Sequence, residues 1–285
     1  MKKKYTIGID IGGTKMAAVL FDGKRVAANF VLATPKDTLD HFLIMVKALV
    51  DPLIEKAAED KVKISGIGLG VAGVLDKKCE KVLSPPNIPI IKNIKLGHLV
   101  EKMLEMPVKM DNDVNCFLRA ESEMGVAKKY NNVYGIIIGT GIGGAWLFNN
   151  EFYYGANGGA GEPGETIVDI STGLTLEQTY HKLTQGNPEH LASEAYAGDV
   201  LAEKLFMELG DYIGVAFANI VNIIDPEVIV VGGGAVESSD LFFSQTKKVM
   251  KSHIASTESQ KNVKILKGKL GRDAGAIGAA LLIKT

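Results

Sequence analysis

The chain has 285 residues, of which 46% are apolar, which is enough apolar material to form one large core or two moderate ones. Its 32 basic and 33 acidic residues nearly cancel, so the composition argues against the basic surface of a nucleic-acid-binding protein and against an acidic tail. The cysteines, Cys79 and Cys116, offer no disulfide framework, which favours a reducing, cytoplasmic compartment.

The first predicted elements are strands separated by turns. Residues 5–11 are predicted to form a buried strand, which a glycine-rich turn at 12–14 connects to a second strand at 16–21. The Asp-Gly dipeptide at 22–23 is a strong hairpin signal, and it leads to a third predicted strand at 25–32.

An amphipathic helix is predicted over residues 37–60, because apolar residues recur there at helical spacing. A strand at 64–71, a loop rich in proline and asparagine at 84–89, a helix at 96–104 and a short strand at 108–110 follow. This alternation predicts an α/β domain in which helices cover a mixed sheet.

The same pattern begins again in the second half of the chain. A strand at 133–139, a glycine turn at 139–144, a strand at 145–148 and a polar turn at 149–150 repeat the order found at residues 9–23. We interpret the repeat as a duplicated half, with two phosphate-binding hairpins that face each other across a cleft. The alternative is chance similarity, since the match is short.

The remaining elements lead to a division of the chain into domains. The predicted order is helix 199–224, strand 227–231, a glycine run at 232–234, helix 239–252, strand 263–266 and helix 273–283. We place an N-terminal α/β domain at residues 1–114, which the C-terminal residues 273–285 are expected to join. A C-terminal α/β domain is placed at residues 115–272.

No membrane partner is expected. The basic start of the chain is followed within a few positions by Asp10 and the pair Gly12-Gly13, which interrupt the apolar run that a signal peptide needs. The most apolar window, residues 133–148, is short for a membrane span and contains five glycines.

The turn Gly12-Gly13-Thr14-Lys15 has the composition of a phosphate-binding loop. Glycine lets backbone N–H groups approach an anion closely, and the threonine and lysine add a hydroxyl and an ammonium. Asp10 precedes the turn on the strand, where it could hold Mg²⁺ directly or through water. The alternative is a plain hairpin turn, because neither this turn nor the second glycine turn matches a Walker A or Rossmann pattern.

Carboxylates and amides lie beside two other turns. Asn112 and Asp113 stand between a strand and a helix start, which suits a general base beside a sugar-binding amide or, alternatively, a helix cap. Glu162 and Glu165 lie in a glycine loop and could accept hydrogen bonds from sugar diols, or form a solvated acidic turn.

In their order and spacing these motifs resemble the ROK family of sugar kinases and sugar-responsive repressors, over nearly the whole chain. The matching segments are the first phosphate motif at 8–15, the sugar-site turn at 68–73 with the loop at 86–87, the Asn-Asp-x-Asn helix with Asn112, Glu121 and Gly125, the second phosphate motif at 139–144 and the nucleoside-side glycines at 232–234. The resemblance implies two α/β domains of the actin-like fold, the class of hexokinase, Hsp70 and actin with ribonuclease H-like domains. It also implies ATP and Mg²⁺ as cofactors.

The resemblance also implies roles for individual residues. Asp113 is the expected catalytic base, and Asp10 is the expected Mg²⁺ residue. The residues expected to contact the sugar are Gly73, Asn87, Asn112, Glu162, Glu165 and Glu177. The residues expected to contact the nucleotide and its phosphates are Asp10, Gly12, Gly13, Thr14, Lys15, Gly139, Thr140, Gly141, Gly233 and Gly234.

The chain departs from the family pattern in its zinc site. The family's Glu-x-Gly-His run is Glu162-Pro163-Gly164-Glu165 here, and no cysteine-rich loop precedes Glu177, so no zinc is expected. The resemblance implies that the side chain at position 165 lies near carbons 1 and 2 of the sugar. An ionised Glu165 accepts hydrogen bonds only, which favours a hexose with a free 2-hydroxyl over an N-acetyl sugar. The alternative is that Glu165 points to solvent.

These motifs predict an ATP-dependent hexose kinase, with glucose phosphorylated at its 6-hydroxyl and domain closure that excludes water. The alternatives are an N-acetylhexosamine or fructose kinase of the same family, a non-catalytic sugar sensor, and an actin- or chaperone-like ATPase. The chain begins at the first phosphate strand, without the helix-turn-helix of the repressors. A homodimer is expected, while the sequence leaves open which hexose is used and whether polyphosphate replaces ATP.

Overall fold

The structure, a computed structural model, describes residues 4–283, so the predicted domain ends at 1–3 and 284–285 lie outside the described residues. Within residues 4–283 the chain divides into two compact units. Unit 1 comprises residues 4–128, 152–160 and 269–283, and unit 2 comprises residues 129–151 and 161–268.

Unit 1 is built around a mixed sheet. Its strands are β1 (Lys4–Ile11), β2 (Lys15–Phe21), β3 (Val26–Ala33), β4 (Lys63–Val71), β5 (Val74–Leu75), β6 (Val82–Ser84) and β7 (Val108–Asn112). The main sheet has the order β3-β2-β1-β4-β7, while β5 and β6 form a separate hairpin. β1 is antiparallel to β2 and parallel to β4, which is parallel to β7. The carboxyl ends of β1, β4 and β7 therefore meet at one edge, with Ile11 opposite Val71 and Val71 opposite Asn112.

Helices cover this sheet. They are α1 (Leu39–Glu59), α2 (Leu96–Leu104) and α3 (Asp113–Glu123). The helix predicted at 37–60 begins two residues later because Thr38 caps it, its side chain accepting a hydrogen bond from the His41 N–H at 3.2 Å. Phe42 and Leu49 on the apolar face of α1 are fully buried in the core of the unit.

Unit 2 has the same succession of strands around its own sheet. Its strands are β8 (Val133–Ile138), β9 (Ile142–Phe148), β10 (Glu151–Phe152), β11 (Ile167–Asp169), β12 (Leu174–Thr175), β13 (Val228–Gly232) and β14 (Lys264–Lys267). The sheet order is β10-β9-β8-β13-β14, and β11 and β12 form a separate hairpin. β8 is antiparallel to β9 and parallel to β13. An antiparallel hairpin beside parallel strands thus recurs, as the sequence repeat predicts.

The helices of unit 2 are α4 (Leu176–Leu183), α5 (Pro188–Tyr196), α6 (Val200–Ile224), α7 (Phe243–His253) and α8 (Thr257–Asn262). The sequence pattern predicts one helix over 239–252, but the chain forms a 3-10 helix at Gly234–Leu241 and α7 begins only at Phe243. Phe242, with φ of −133°, lies outside the helical region and separates the two.

Among the described residues, α6 is the helix whose length and composition would let it span a membrane. One face of α6, with Phe206, Ile213 and Phe217, is instead buried in the core of unit 2, while Leu201 and Ile223 are exposed. The buried face of α6 is therefore part of a core.

The C-terminal helix α9 (Ala274–Ala280) belongs to unit 1, and all of its residues are buried. It lies directly against neighbouring backbone: a Cβ atom on Gly8 would come within 1.9 Å of the Ala276 carbonyl oxygen. A Cβ atom on Gly278 would come within 1.7 Å of the Cys116 carbonyl oxygen. The helix can therefore pack on β1 and α3 only because these positions are glycine.

The division into units differs from the domain boundaries that the sequence predicts. The predicted boundary after residue 114 falls within α3, and α3 packs against α9 and β4, so the chain remains in unit 1 as far as residue 128. Residues 152–160 also belong to unit 1, although their neighbours on both sides belong to unit 2.

Candidate active site

The first glycine turn joins β1 to β2 at the edge where the parallel strands of unit 1 end. The Gly12 N–H donates a hydrogen bond to the Lys15 carbonyl oxygen at 3.1 Å. The buried Thr34 donates its hydroxyl to the Gly12 carbonyl oxygen at 2.7 Å and its N–H to the Thr14 carbonyl oxygen at 3.0 Å. These bonds fix the turn while the side chains of Thr14 and Lys15 remain exposed. No sequence motif points to Thr34.

Gly13 and Asn87, which the resemblance assigns to phosphate and sugar, lie in contact. A Cβ atom on Gly13 would come within 2.4 Å of the Asn87 Cβ, so a side chain at position 13 would displace Asn87. The loop around Asn87 is closed by the Ile88 N–H, which donates to the Pro85 carbonyl oxygen at 3.3 Å. The predicted phosphate turn and sugar loop therefore form a continuous surface.

Asp10 and Asp113, the predicted metal residue and base, come together at the same edge. Asp10 lies in register with Gly70 of β4, and a Cβ atom on Gly70 would lie 3.6 Å from the Asp113 Cα. Burial, and then the charge of Asp113, raises the pKa of Asp10 to about 7, against the opposing effect of the Lys15 ammonium. Burial raises the pKa of Asp113 to about 6.

Two partly buried carboxylates that repel each other form a site that a cation would stabilise. Carboxylate oxygens are ligands that Mg²⁺ prefers, so Asp10 fits this ion, bound directly or through water. The Asp10 carboxylate lies directly against Gly275, since a Cβ atom there would lie 2.5 Å from Asp10 Oδ2.

The Asn112 amide is held at the start of α3. Its Oδ1 accepts hydrogen bonds from the Val114 N–H at 2.8 Å and the Asn115 N–H at 3.1 Å. Asn112 therefore caps α3, which is the alternative role that the sequence allows. Its Nδ2 donates to the Gly73 carbonyl oxygen at 3.1 Å. An amide nitrogen carries two hydrogens, so Asn112 can donate at most one further bond, for example to a sugar hydroxyl.

The second glycine turn joins β8 to β9 in unit 2. The predicted turn at 139–144 is shorter in the structure, because β9 already begins at Ile142. The Gly139 N–H donates to the Gly141 carbonyl oxygen at 3.0 Å, and Glu177 Oε2 accepts a hydrogen bond from the Ile142 N–H at 2.5 Å. Glu177, which the resemblance assigns to the sugar, therefore holds the backbone beside the second glycine turn.

The glycines assigned to the nucleoside follow β13 beside this turn. Gly233 has a φ of +87°, and a Cβ atom there would come within 2.3 Å of the Ile138 carbonyl oxygen. Gly139 faces Gly234, since a Cβ atom on Gly139 would lie 3.8 Å from the Gly234 nitrogen. The structure therefore brings the second glycine turn and Gly233-Gly234 together within unit 2.

The two glutamates of the predicted acidic loop have different surroundings. Glu162 is partly buried near Tyr134, where burial and then the Glu162 charge raise the pKa of the Tyr134 hydroxyl. Glu165 ends a 3-10 helix, Pro163–Glu165, and its side chain is exposed. The structure therefore places Glu165 where the solvent-facing alternative expects it.

Hydrogen bonds close the loop where the family pattern has its zinc ligands. Asp169 accepts bonds from the Ser171 N–H at 2.9 Å, the Ser171 hydroxyl at 2.6 Å and the Thr172 hydroxyl at 2.7 Å. The two hydroxyls lower the pKa of Asp169 to about 2. Across the described part of the chain, no group of three or more His, Cys, Asp or Glu side chains is arranged to hold a metal ion.

Glu121, which belongs to the motif that begins at Asn112, is completely buried. Its Oε1 accepts hydrogen bonds from the N–H groups of Lys269 at 2.7 Å and Leu270 at 2.8 Å, and its Oε2 accepts one from Val126 at 2.9 Å. Glu121 therefore fastens the end of α3 to the segment that leads to α9.

Comparisons with known proteins agree with the motifs and the fold. An N-acetyl-D-glucosamine kinase from Photobacterium profundum is 31% identical, over 96% of this chain and 98% of its own. A glucokinase from Streptomyces coelicolor is 26% identical, over 98% of this chain and 97% of its own. The crystal structure of a ROK family glucokinase from Streptomyces griseus, in complex with glucose and AMPPNP, is 28% identical and superposes with a TM-score of 0.83, over 98% and 99%. This match confirms the predicted two-domain, actin-like α/β fold. A sequence model of the ROK family matches residues 6–285, and the chain belongs to the ROK family.

Proposed function

We propose that this protein is an ATP-dependent hexose kinase, which transfers the γ-phosphoryl group to the 6-hydroxyl of a hexose, with glucose as the preferred acceptor. The observation that carries the proposal is the meeting of Asp10, Asp113 and Lys15 beside the first glycine turn. A phosphoryl transfer needs a base, a cation site and phosphate donors in one place. Relatives across this chain's length include both a glucokinase and an N-acetyl-D-glucosamine kinase, so their names do not choose the hexose.

Asp113 acts as the general base in this proposal. Its pKa of about 6 leaves it mostly ionised at neutral pH, and it is a stronger base than an ordinary aspartate. As the hydroxyl oxygen attacks the γ-phosphorus, the hydroxyl proton passes to a carboxylate oxygen of Asp113 and the bond from phosphorus to the ADP oxygen breaks.

The phosphates are bound mainly by backbone donors. We assign the N–H groups of Gly13 and Thr14 to the phosphate oxygens, with the Gly12 backbone and the Lys15 ammonium beside them. Asp10 would hold Mg²⁺, which when bound offsets the negative charge of the phosphates.

Unit 2 contributes the remaining nucleotide contacts. We assign the turn at Gly139, Thr140 and Gly141 to phosphate and the turn at Gly233 and Gly234 to the nucleoside. Within the described residues, no atom outside the adjoining backbone lies within 4 Å of the place where a Cβ atom on Gly234 would be. The position is therefore open to a close ligand.

The sugar ligands remain those expected from the sequence, namely Gly73, Asn87, Asn112, Glu162, Glu165 and Glu177. Their carboxylates can only accept hydrogen bonds when ionised, which suits the hydroxyl donors of an unmodified hexose. An acetamido carbonyl would meet another acceptor there, at a cost of about 1–3 kcal/mol for the unpaired group.

A coupled assay with a panel of sugars tests the proposal. Purified protein with Mg²⁺ and either ATP or polyphosphate is offered glucose, mannose, fructose, N-acetylglucosamine and N-acetylmannosamine. We expect the highest kcat/KM with glucose and ATP. An N-acetyl sugar as the best substrate would contradict the choice of hexose. Sugar binding without turnover of any sugar would favour a non-catalytic sensor.

We also propose a homodimer, which light scattering during gel filtration tests.

A further inference from the structure

Asp111 carries a nearly completely buried carboxylate at the end of β7, two residues before the proposed base. Its side chain is 2% exposed. Its Oδ1 accepts hydrogen bonds from the Asn112 N–H at 2.8 Å and from Asn115 Nδ2 at 2.9 Å. Its Oδ2 accepts from the Tyr154 hydroxyl at 2.9 Å and from Arg119 Nη2 at 3.2 Å. Donors thus hold both oxygens of this buried charge.

These donors lie around the part of the chain that presents Asp113. Asn112 directly precedes Asp113, while Asn115 and Arg119 lie on α3, the helix that begins with Asp113. The Asp111 carboxylate therefore joins the end of β7 to Asn115 and Arg119 on α3. The backbone of Asp113 lies between its bonded partners Asn112 and Asn115 in the chain. The Arg119 side chain is only 21% exposed, so water weakens its attraction to Asp111 less than in a surface ion pair.

Tyr154 lies in residues 152–160, the segment that belongs to unit 1 between two stretches of unit 2. The segment is fixed at both ends. The Arg119 guanidinium carbon lies 4.5 Å from the centre of the Phe152 ring. Gly158, with φ of +85°, lies so close to β5 that a Cβ atom there would come within 2.2 Å of the Leu75 carbonyl oxygen. Immediately after this segment the chain enters the acidic loop assigned to the sugar.

We propose that Asp111 is a positioning residue, which orients Asp113 toward the acceptor hydroxyl, and that Tyr154 couples this orientation to the segment leading into Glu162. The proposal rests on the kinase function proposed above, in which Asp113 is the base. Neither Asp111 nor Tyr154 is assigned a contact with the sugar or the phosphates. They act through Asp113, because proton transfer requires the base within hydrogen-bond distance of the hydroxyl.

The first test removes a single hydroxyl. Tyr154→Phe keeps the ring and the Asp111–Arg119 pair but deletes one hydrogen bond to Asp111. We expect kcat to fall by about 10-fold while KM for ATP stays within about twofold, because a small displacement of a catalytic group affects the chemical step and leaves nucleotide binding unchanged. The matched control is Tyr153→Phe, at the exposed neighbouring tyrosine, which should keep the wild-type kcat.

A double-mutant cycle separates positioning from a structural effect. Tyr154→Phe is combined with Asp113→Asn, and the double variant and Asp113→Asn alone are assayed with excess enzyme to measure their slow residual rates. If Tyr154 acts through the base, adding Tyr154→Phe to Asp113→Asn should lower the residual rate by less than about twofold. If Tyr154→Phe lowers the rate equally in wild type and in Asp113→Asn, or if Tyr153→Phe lowers kcat as much as Tyr154→Phe does, the positioning role is wrong while the proposed base still stands. A wild-type kcat in Asp113→Asn itself would overturn the proposed base, and with it the route by which Asp111 acts.

Amide hydrogen exchange gives a second measurement that does not depend on turnover. Exchange at residues 112–115 should become faster in Tyr154→Phe than in wild type, while exchange in unit 2 strand β13 should stay the same. Asp111→Asn should lower kcat further than Tyr154→Phe, since it removes the charge that pairs with Arg119. Unchanged exchange at 112–115 together with unchanged kcat in Tyr154→Phe would refute the proposal.

Discussion

The glycine turns of the two units occupy the same place in their sheets but are held by different chemistry. In unit 1 the neutral hydroxyl of Thr34 holds the turn, and the Lys15 ammonium and the Asp10 and Asp113 carboxylates lie beside it. In unit 2 the Glu177 carboxylate accepts a hydrogen bond from the backbone just after the turn. The repeated backbone therefore does not repeat the chemistry: the groups suited to proton transfer and metal binding are gathered in unit 1.

The largest effect expected from this difference is the loss of the base. Asp113→Asn should lower kcat by about 10²–10⁴-fold with small changes in KM, because the amide keeps the shape but cannot accept the proton. Steady-state kinetics with glucose and ATP measure this. The matched control is Asp40→Asn, which changes another aspartate in the first turn of a unit 1 helix, at an exposed position. A kcat near wild type in Asp113→Asn would show that Asp113 is not the base and that the proton acceptor does not lie at this place in unit 1.

The second prediction concerns the stability of the metal-free protein. The pKa of Asp10 is raised from 3.8 to about 7, so its contribution to stability is complete below about pH 4 and is lost as the pH rises toward 7. Asp10→Asn should therefore stabilise the protein at pH 8, by up to about 4 kcal/mol since one pKa unit corresponds to about 1.4 kcal/mol. Urea unfolding with EDTA at pH 8 and pH 5 measures the difference, which should shrink at the lower pH. An equal effect of Asp10→Asn at both pH values would show that folding does not raise the pKa of Asp10.

The third prediction tests whether position 165 chooses the sugar. If Glu165 faces the sugar, Glu165→His should narrow the preference for glucose over N-acetylglucosamine by about 10- to 100-fold in kcat/KM, because neutral histidine can also donate a hydrogen bond. A kcat/KM series on both proteins measures this. An unchanged ranking would mean that the exposed side chain seen in the structure stays in solvent during catalysis.

The fourth prediction concerns Glu177. Glu177→Ala deletes the acceptor for the Ile142 N–H and should raise KM for ATP about 3- to 10-fold, the size expected for one hydrogen bond. Glu177→Gln is the matched control, since its carbonyl oxygen can still accept this bond, and it should leave KM for ATP within about twofold. If both variants raise KM for the sugar and leave KM for ATP unchanged, Glu177 serves the sugar alone.

The smallest effect is expected from metal removal outside the active site. Asp169 closes the β11–β12 hairpin by hydrogen bonds, so EDTA added in buffer without Mg²⁺ should not change the unfolding temperature. Elemental analysis of protein purified without chelator should find no stoichiometric zinc. Zinc at one equivalent, removed by EDTA with loss of folding, would contradict this.

Local sequence patterns predict most strands and the long helices to within two residues. The signals are short and local: buried apolar runs in β1 and β8, helical spacing in α1, and glycine turns between strands. The proximity of Asp10 and Asp113 also follows from sequence, once β1, β4 and β7 are placed in parallel with their carboxyl ends together. α4 also begins with a local sequence signal, because Thr175 and Gln178 form a capping box.

The rest depends on contacts between residues far apart in the chain. The Tyr154 hydroxyl reaches Asp111 across 43 positions, and Glu177 reaches Ile142 across 35. A carboxylate in the sequence does not reveal whether it will meet a ligand or a backbone N–H, because both are hydrogen-bond donors. The assignment of α3 to unit 1 likewise depends on its packing against α9, which follows it by about 150 positions.

The buried position of α9 has a consequence for how the protein is made. Ribosomes synthesise residues 4–128 before unit 2, yet the site on β1 and α3 that receives α9 stays uncovered until residues 274–280 are made, after unit 2. Unit 2 is complete by residue 268. The usual order, in which the N-terminal domain finishes folding first during translation, is therefore reversed here. A nascent chain arrested after residue 268 should hold a protease-resistant unit 2 beside a unit 1 that proteases still cut.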